Sequence, residues 1–296
     1  MAKTEINRAR RMTGRLRIPL FAVALALAFG AAAAAGSALD PDPPGDDSEA
    51  GQPDMRAHED TRSHRDTHRN TRAQDDLRLV NDAATFPRAT RETLRFRIVN
   101  REGDVVRDFD VEHDRRMHAI LVRRDLTGFR HVHPEQQPDG SWTVPLSLPD
   151  AGSYRLFADF AHAGRSYTLG SDIRVAGEFK PRELPHPAET AAAGDGYEVR
   201  LAENGANVRF SVFKDGERLR DVEPYLGARG HLVALREGDL AFLHVHPESA
   251  ATEGAEIRFG VEYPSNGRYR LFLQFKHDGR VRTAAFTQEV GVEPGH

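Results

Sequence analysis

The chain has 296 residues, enough for about two ordinary domains. Its 41 Lys and Arg against 45 Asp and Glu leave a net charge of −4 with histidine neutral, without the basic surplus of a nucleic-acid-binding domain. No cysteine is present, which excludes disulfides, zinc–thiolate and iron–sulfur sites, a cysteine nucleophile and a blue-copper centre. The four methionines, Met1, Met12, Met55 and Met117, argue against a thioether site for Cu(I), and the 14 histidines are the plentiful borderline ligand.

Residues 1–17 hold Lys3, Arg8, Arg10, Arg11, Arg15 and Arg17 against one acid, Glu5, and residues 18–39 then carry no charge. A basic stretch before an apolar run marks a secretory signal or a signal anchor. The small residues Ala33–Ala35 or Gly36-Ser37-Ala38 suit a cleavage site, while 22 uncharged residues also suffice to cross a bilayer as a helix, which takes about 20. Residues 1–38 are therefore a signal peptide or a membrane anchor, and either one places the rest of the chain outside the cytoplasm. Without a cysteine after the run, a lipoprotein anchor is excluded. Residues 39–76 are polar and Pro-containing with almost no large apolar side chain, so a disordered spacer is expected there. Its His58, His64 and His68 read as part of a solvated tether.

An internal repeat follows. His118–Glu135 and His231–Glu248 both fit H-x12-H-x-H-P-E. Pro149–Phe157 and Pro264–Phe272 both fit P-x-x-G-x-Y-R-L-F, and the segment around Phe160-Ala161-His162 matches that around Phe275-Lys276-His277. The unit spans 77–176 and again 196–292, with 177–195 between them as a linker. Inside each unit the hydrophobic period is two, as in Thr93–Val99, Trp142–Leu148, Val208–Phe213 and Glu256–Tyr263. Asp139-Gly140, Asp215-Gly216, Asn266-Gly267 and Asp278-Gly279 read as hairpin turns. No segment of the units shows a convincing helical stripe. The fold class is all-β: two tandem immunoglobulin/cupredoxin-like β-sandwich domains, each of seven or eight short strands, after an N-terminal hydrophobic helix and a disordered spacer.

The histidines concentrate on one predicted hairpin of each unit. A turn at Arg124–Thr127 sets His118 opposite His133, Ile120 opposite His131 and Val122 opposite Phe129, all six side chains on one face. Opposed Cβ atoms lie about 4.5–5.5 Å apart, and imidazoles so placed can share an ion at about 2.0–2.1 Å. The second unit repeats the pattern, with His231 opposite His246 and Val233 opposite His244. The proline after each H-x-H ends the strand, leaving the cluster near a rim. His113 is positioned to complete the first site, whereas its counterpart is Leu226. Glu135 and Glu248 are candidate carboxylate ligands or partners that orient an imidazole. The nearness of His162 and His277 to the clusters is left open. The competing reading is that His-x-His-Pro closes the hairpin by hydrogen bonding alone.

The run from His118 to Glu135, continued by Gly140–Leu148 and Ala151–Phe160, resembles a group of bacterial exported proteins with tandem β-domains, and Gly230–Glu248 resembles their second domain. Such proteins are often named for heavy-metal or copper handling in the cell envelope. The resemblance implies a metal role for His118, His131 and His133 and for His231, His244 and His246, and implies no reaction. The expectation is thus a non-enzymatic, extracytoplasmic binder of Cu(II) or Zn(II), with an envelope protein as partner, no organic cofactor, and membrane contact through 18–39 where uncleaved. The alternative is an adhesion-type tandem β-sandwich interaction protein without metal. Three histidines with an open fourth position can activate water on zinc. No H-E-x-x-H, nucleophile elbow, P-loop or dinucleotide fingerprint accompanies them, and an enzyme is not expected.

Overall fold

A computed structural model describes residues 76–291 apart from 205–206, 244 and 248–255. The predicted signal or anchor, almost all of the spacer, His244 and Glu248 lie outside the described residues, as does the side chain of His246. The described residues belong to one compact unit, Glu59–His296. Among them there is no helix, and nineteen strands carry the fold.

The first repeat contributes β1 (Arg78–Asn81), β2 (Thr85–Phe86), β3 (Arg91–Val99), β4 (His118–Arg123), β5 (Arg130–Val132), β6 (Glu135–Gln136), β7 (Trp142–Ser147), β8 (Gly152–His162) and β9 (Arg165–Val175). They form two sheets, β1-β3-β7-β6 and β2-β9-β8-β4-β5. The alternation explains the closure: Leu94, Phe96 and Ile98 of β3 face Ala119 and Leu121 of β4 and Tyr154, Leu156 and Ala158 of β8 across one core.

The second repeat contributes β10 (Thr190–Gly194), β11 (Tyr197–Asn204), β12 (Asn207–Lys214), β13 (Glu217–Arg218), β14 (His231–Arg236), β15 (Phe242–Leu243), β16 (Val245–Pro247), β17 (Glu256–Val261), β18 (Gly267–His277) and β19 (Arg280–Val290). The sheets are β10-β11-β12-β17-β16, with β13 on β12, and β15-β14-β18-β19. The Ala run at the end of the expected linker supplies β10, whose Ala191 and Ala193 pack against the second core. Asn266-Gly267 is not a hairpin turn. It joins β17 to β18, which sit in different sheets.

That joint has a counterpart in the first repeat, and together they explain the P-x-x-G-x-Y motif. The Tyr154 hydroxyl donates to the Asp150 carbonyl at 3.0 Å, and the Tyr269 hydroxyl to the Ser265 carbonyl at 2.7 Å. This is the tyrosine corner of immunoglobulin-like sandwiches, tying a strand to the turn that delivers it. The glycine between is required: Gly152 has φ 133°, and a Cβ there would lie 2.4 Å from the Phe179 ring.

Strand β4 is buried along all six residues, which a strand with one solvated face does not allow. Its odd positions enter the first core. Its even positions, Ile120 and Val122, join Phe157, Val233, Leu235 and Phe272 in a third cluster that contains residues of both repeats. The two sandwiches therefore pack sheet to sheet. Phe129 stacks on Phe272 at 4.1 Å, and Phe157 meets Phe242 at 5.3 Å. Because Phe129 corresponds to Phe242 and Phe157 to Phe272 in the repeat, this pairing has approximate twofold symmetry. The linker straps the contact: Leu184 is buried in it, and the Arg268 guanidinium donates to the Leu184 carbonyl at 3.1 Å.

One difference between the repeats is testable. The Arg123 and Asp125 side chains are 3% and 5% exposed, while the arginine–aspartate pair of the second repeat's turn, Arg236 with Asp239 one residue farther along, is 29% and 51% exposed. Asp125→Ala strands a buried guanidinium and should cost about 3–5 kcal/mol, against about 1 kcal/mol or less for Asp239→Ala. Urea unfolding of the two variants checks the contrast.

Candidate metal centre

The hairpin register is the one the sequence predicts: Ile120 pairs with His131 and Ala119 with Val132 across β4 and β5, and Leu235 pairs with Phe242 across β14 and β15. This puts His118, His131 and His133 on the outer face of the first sandwich with Ile120 and Val122. In both repeats the strand leaves the hairpin at the H-x-H-P segment and crosses to the other sheet. His246 consequently pairs with Gly260 of β17 rather than facing His231.

The outer face is not open rim. It lies against the second sandwich, and His231 of β14 enters the first cluster. Its ring centroid is 4.8 Å from that of His131 and 5.7 Å from that of His118, stacked within 8° on the latter. His113 also joins, 6.2 Å from His118 and 6.0 Å from His231. It is held there by a tight turn in which Glu112 and Arg115 exchange backbone hydrogen bonds. Both central residues have positive φ, 50° for His113 and 61° for Asp114. The second repeat has the same turn at Leu226-Gly227. Among the described residues, His113, His118, His131, His133 and His231 form one cluster at the contact between the sandwiches; His244 and the side chain of His246, on which the second expected face depends, lie outside the described residues.

The ring nitrogens have defined roles. His131 Nδ1 lies 2.6 Å from Gln274 Oε1, which only accepts, so Nδ1 carries the proton and Nε2 keeps its lone pair. His118 has one proton for two contacts, its Nε2 lying 3.3 Å from the Glu112 carbonyl and its Nδ1 3.1 Å from His131 Nε2. With the proton on Nε2, His118 Nδ1 and His131 Nε2 oppose each other as two bare nitrogens. The Nε2 of His133 is buried without a hydrogen-bond partner among the described residues. One ring nitrogen from each of His118, His131 and His133 lies within 4.8 Å of the others.

A second proton does not enter these rings at neutral pH. Burial lowers the pKa of His118 to about 4, outweighing the Glu112 carbonyl, and His133 and His113 add repulsion. Burial lowers His133 to about 4, helped by the exposed Arg115. His231 falls to about 3 by burial and by the charges of His118, His113 and His133. His131 is held well below the ordinary range by burial and then by His231 and His118. All four are neutral at pH 7, the state in which imidazole binds metal.

The other sequence candidates lie apart. Glu135 is exposed in β6 and is not among the groups that converge. His162 holds the Asp108 carbonyl at 2.6 Å, and His277 of β18 is tied to the Tyr197 hydroxyl of β11 at 2.8 Å. Sequence reasoning missed Gln274, whose only signal is its place two residues beyond the repeated Y-R-L-F block.

A family model described as a domain of unknown function, DUF8832, matches residues 72–177 and again 190–291. The chain belongs to the DUF8832 family. No curated protein matches it. Among solved structures, similarity is found to the Escherichia coli adhesin FdeC, at 12% identity over 71% of this chain and 63% of that one, with a TM-score of 0.26. An Escherichia coli alpha-2-macroglobulin activated by porcine elastase gives 13% identity over 71% of this chain and 20% of that one, also at 0.26. Invasin, a bacterial integrin-binding protein, gives 12% over 72% and 40%, at 0.21. This chain thus spans less than two thirds of the length of each of these three. Within the DUF8832 repeats the histidine cluster draws on both copies, four rings from the first and one from the second.

Proposed function

We propose that the chain is a non-enzymatic metal-binding protein acting outside the cytoplasm, taking a borderline divalent ion such as Cu(II) or Zn(II) through His118, His131 and His133. The export reading comes from the basic and apolar segments of residues 1–39. The metal reading is carried by the convergence of one ring nitrogen from each of His118, His131 and His133 within 4.8 Å of one another, with His118 Nδ1 and His131 Nε2 3.1 Å apart. In the tautomer that gives the Glu112 carbonyl its proton, the lone pairs of that pair repel unless a cation joins them. Two nitrogens 3.1 Å apart both reach an ion at about 2.0–2.1 Å, subtending roughly 100° at it. That lies between the square-planar and tetrahedral angles favoured by Cu(II) and Zn(II). The orphaned His133 Nε2 offers a third donor to the same space. An all-imidazole set suits these ions better than Mg(II) or Ca(II), which take oxygen.

The test is calorimetric titration of Cu(II), then Zn(II), into the chelator-treated full chain purified without a histidine tag. Tight binding lost in the His131→Ala/His133→Ala double variant supports the reading. Absence of tight binding, with a melting temperature indifferent to metal, leaves the other reading, a tandem β-sandwich that presents surfaces to a protein partner.

A further inference from the structure

We infer that the ion is a clamp between the two sandwiches: one ion per chain, held by His118, His131 and His133 of the first repeat, whose ring nitrogens already lie within 4.8 Å of one another, and by His231 of the second, which lies outside that group with its ring centroid 4.8 Å from that of His131 and closes on the ion when it binds. The inference rests on the metal-binding reading and adds to it the number of ions, the fourth ligand and what occupancy does.

Three observations carry it. First, His118 and His231 are the same position of the repeat, and they meet ring to ring at 5.7 Å where the two β4-type strands approach. The second copy's histidine thus packs against the first copy's site. Second, the second sandwich also sets the chemistry of His131. Gln274 of β18 accepts its Nδ1 proton and so directs the Nε2 lone pair toward His118. The Gln274 amide in turn donates to Thr283 Oγ1 at 3.4 Å, which orients its oxygen to His131. Third, the apolar contact of Ile120, Val122, Val233 and Leu235 lies on the same strand faces as the histidines, so the ion would sit at the end of a contact that is already built. His113 closes the cluster on a third side, on a turn of the first sandwich, 6.0 Å from His231.

Binding to such a site stabilises only the docked arrangement, since neither sandwich alone holds the full ligand set. Occupancy therefore braces the pair, and loss of the ion leaves the apolar contact to hold it unaided. Four neutral imidazoles favour Cu(II) over Zn(II) in affinity.

The decisive experiment compares the full chain with its His231→Ala and His231→Gln variants, in a background with His58, His64 and His68 changed to Ser so that the spacer contributes nothing. Cu(II) stoichiometry and affinity are measured by titration against a competing chelator, and the nitrogen count by electron paramagnetic resonance. The expected result is one ion per chain in the parent, an affinity about 10-fold or more weaker in both variants, and one nitrogen fewer in the spectrum. The parent's melting temperature should rise with Cu(II) in a single transition, and the rise should shrink in the variants. If the parent binds but His231→Gln binds equally well with the same nitrogen count, the ion belongs to the first sandwich alone and the clamp is wrong. Two ions per parent chain overturn it in the same way. If the parent itself binds nothing, the metal-binding reading fails, and the clamp with it. Circular dichroism of His231→Gln, which keeps the side chain's bulk, separates a lost ligand from a lost fold.

Discussion

Without metal, the chain should lose stability steeply as the pH falls from 6.5 to 5, a window in which most proteins of this size change little. His118 and His133 have folded-state pKa values near 4, and His231 near 3. The unfolded chain takes up protons near pH 6.5 that these rings refuse when folded. Stability therefore rises with pH across this interval, is complete above 6.5, and is lost as the pH falls toward the folded values. At pH 5 the linkage amounts to roughly 2 kcal/mol for each such ring. Carboxylates with lowered values, such as Asp139 and Asp239 near 2, act below pH 4, while Glu203, raised by burial, works in the opposite sense to the histidines. Urea unfolding of the chelator-treated chain at pH 7.0, 6.0 and 5.0 measures the slope, and His118→Gln, which removes one titrating ring, should flatten it. A midpoint that does not move between pH 7 and 5 would mean that the cluster accepts protons in place and is not desolvated as the geometry indicates.

The sequence made the strands and the hairpin register legible because alternation is a local property. Ile120 opposite His131 follows from the length of the turn at Arg124–Thr127, and the same arithmetic holds for Leu235 and Phe242. The repeat likewise announced two sandwiches. What alternation could not reveal is which face meets which partner. The clue was present in Ala119–Val122 and Leu232–Leu235, unbroken apolar runs in strands expected to have one wet face. Such runs mean burial on both sides, and here the second covering is the other sandwich. That second covering brings His231 against the first cluster. His231 reached the first cluster through a docking of β14 onto β4 that no sequence spacing encodes, as did Gln274. The crossing at Asn266-Gly267 was missed for another reason: the dipeptide that favours a hairpin also supplies the positive-φ glycine of a tyrosine corner, and only the pairing of β17 with β12 tells them apart. The turn carrying His113 has no glycine at either central position, so nothing in its composition marked it.

Phe272→Ala should be the most damaging single substitution outside the two sandwich cores. The ring is 4% exposed, stacks on Phe129 at a 9° interplanar angle, and lies beside Ile120, Val122 and Leu184 in the shared cluster. Truncating a buried phenylalanine typically costs about 3–5 kcal/mol through lost transfer energy and the cavity left behind, and the stacked pair adds about 0.5–1.5 kcal/mol. The loss falls on the contact between sandwiches and not on either core, so its signature should be a change of cooperativity as well as of midpoint. The parent should unfold in one calorimetric transition, and Phe272→Ala in two, because each sandwich keeps its own core. Val111→Ala, at a position 65% exposed, serves as the control and should leave both midpoint and shape unchanged. Phe129→Ala should act in the same direction with a smaller effect, since that ring is only partly buried. A loss below about 1 kcal/mol for Phe272→Ala, within the range of ordinary surface substitutions, would mean that the sandwiches are not docked in solution. The five histidines would then have no fixed meeting place. A full loss measured on the chelator-treated chain, by contrast, establishes that the apolar contact forms without the ion, and that His231 is delivered to His118 by packing before any metal arrives.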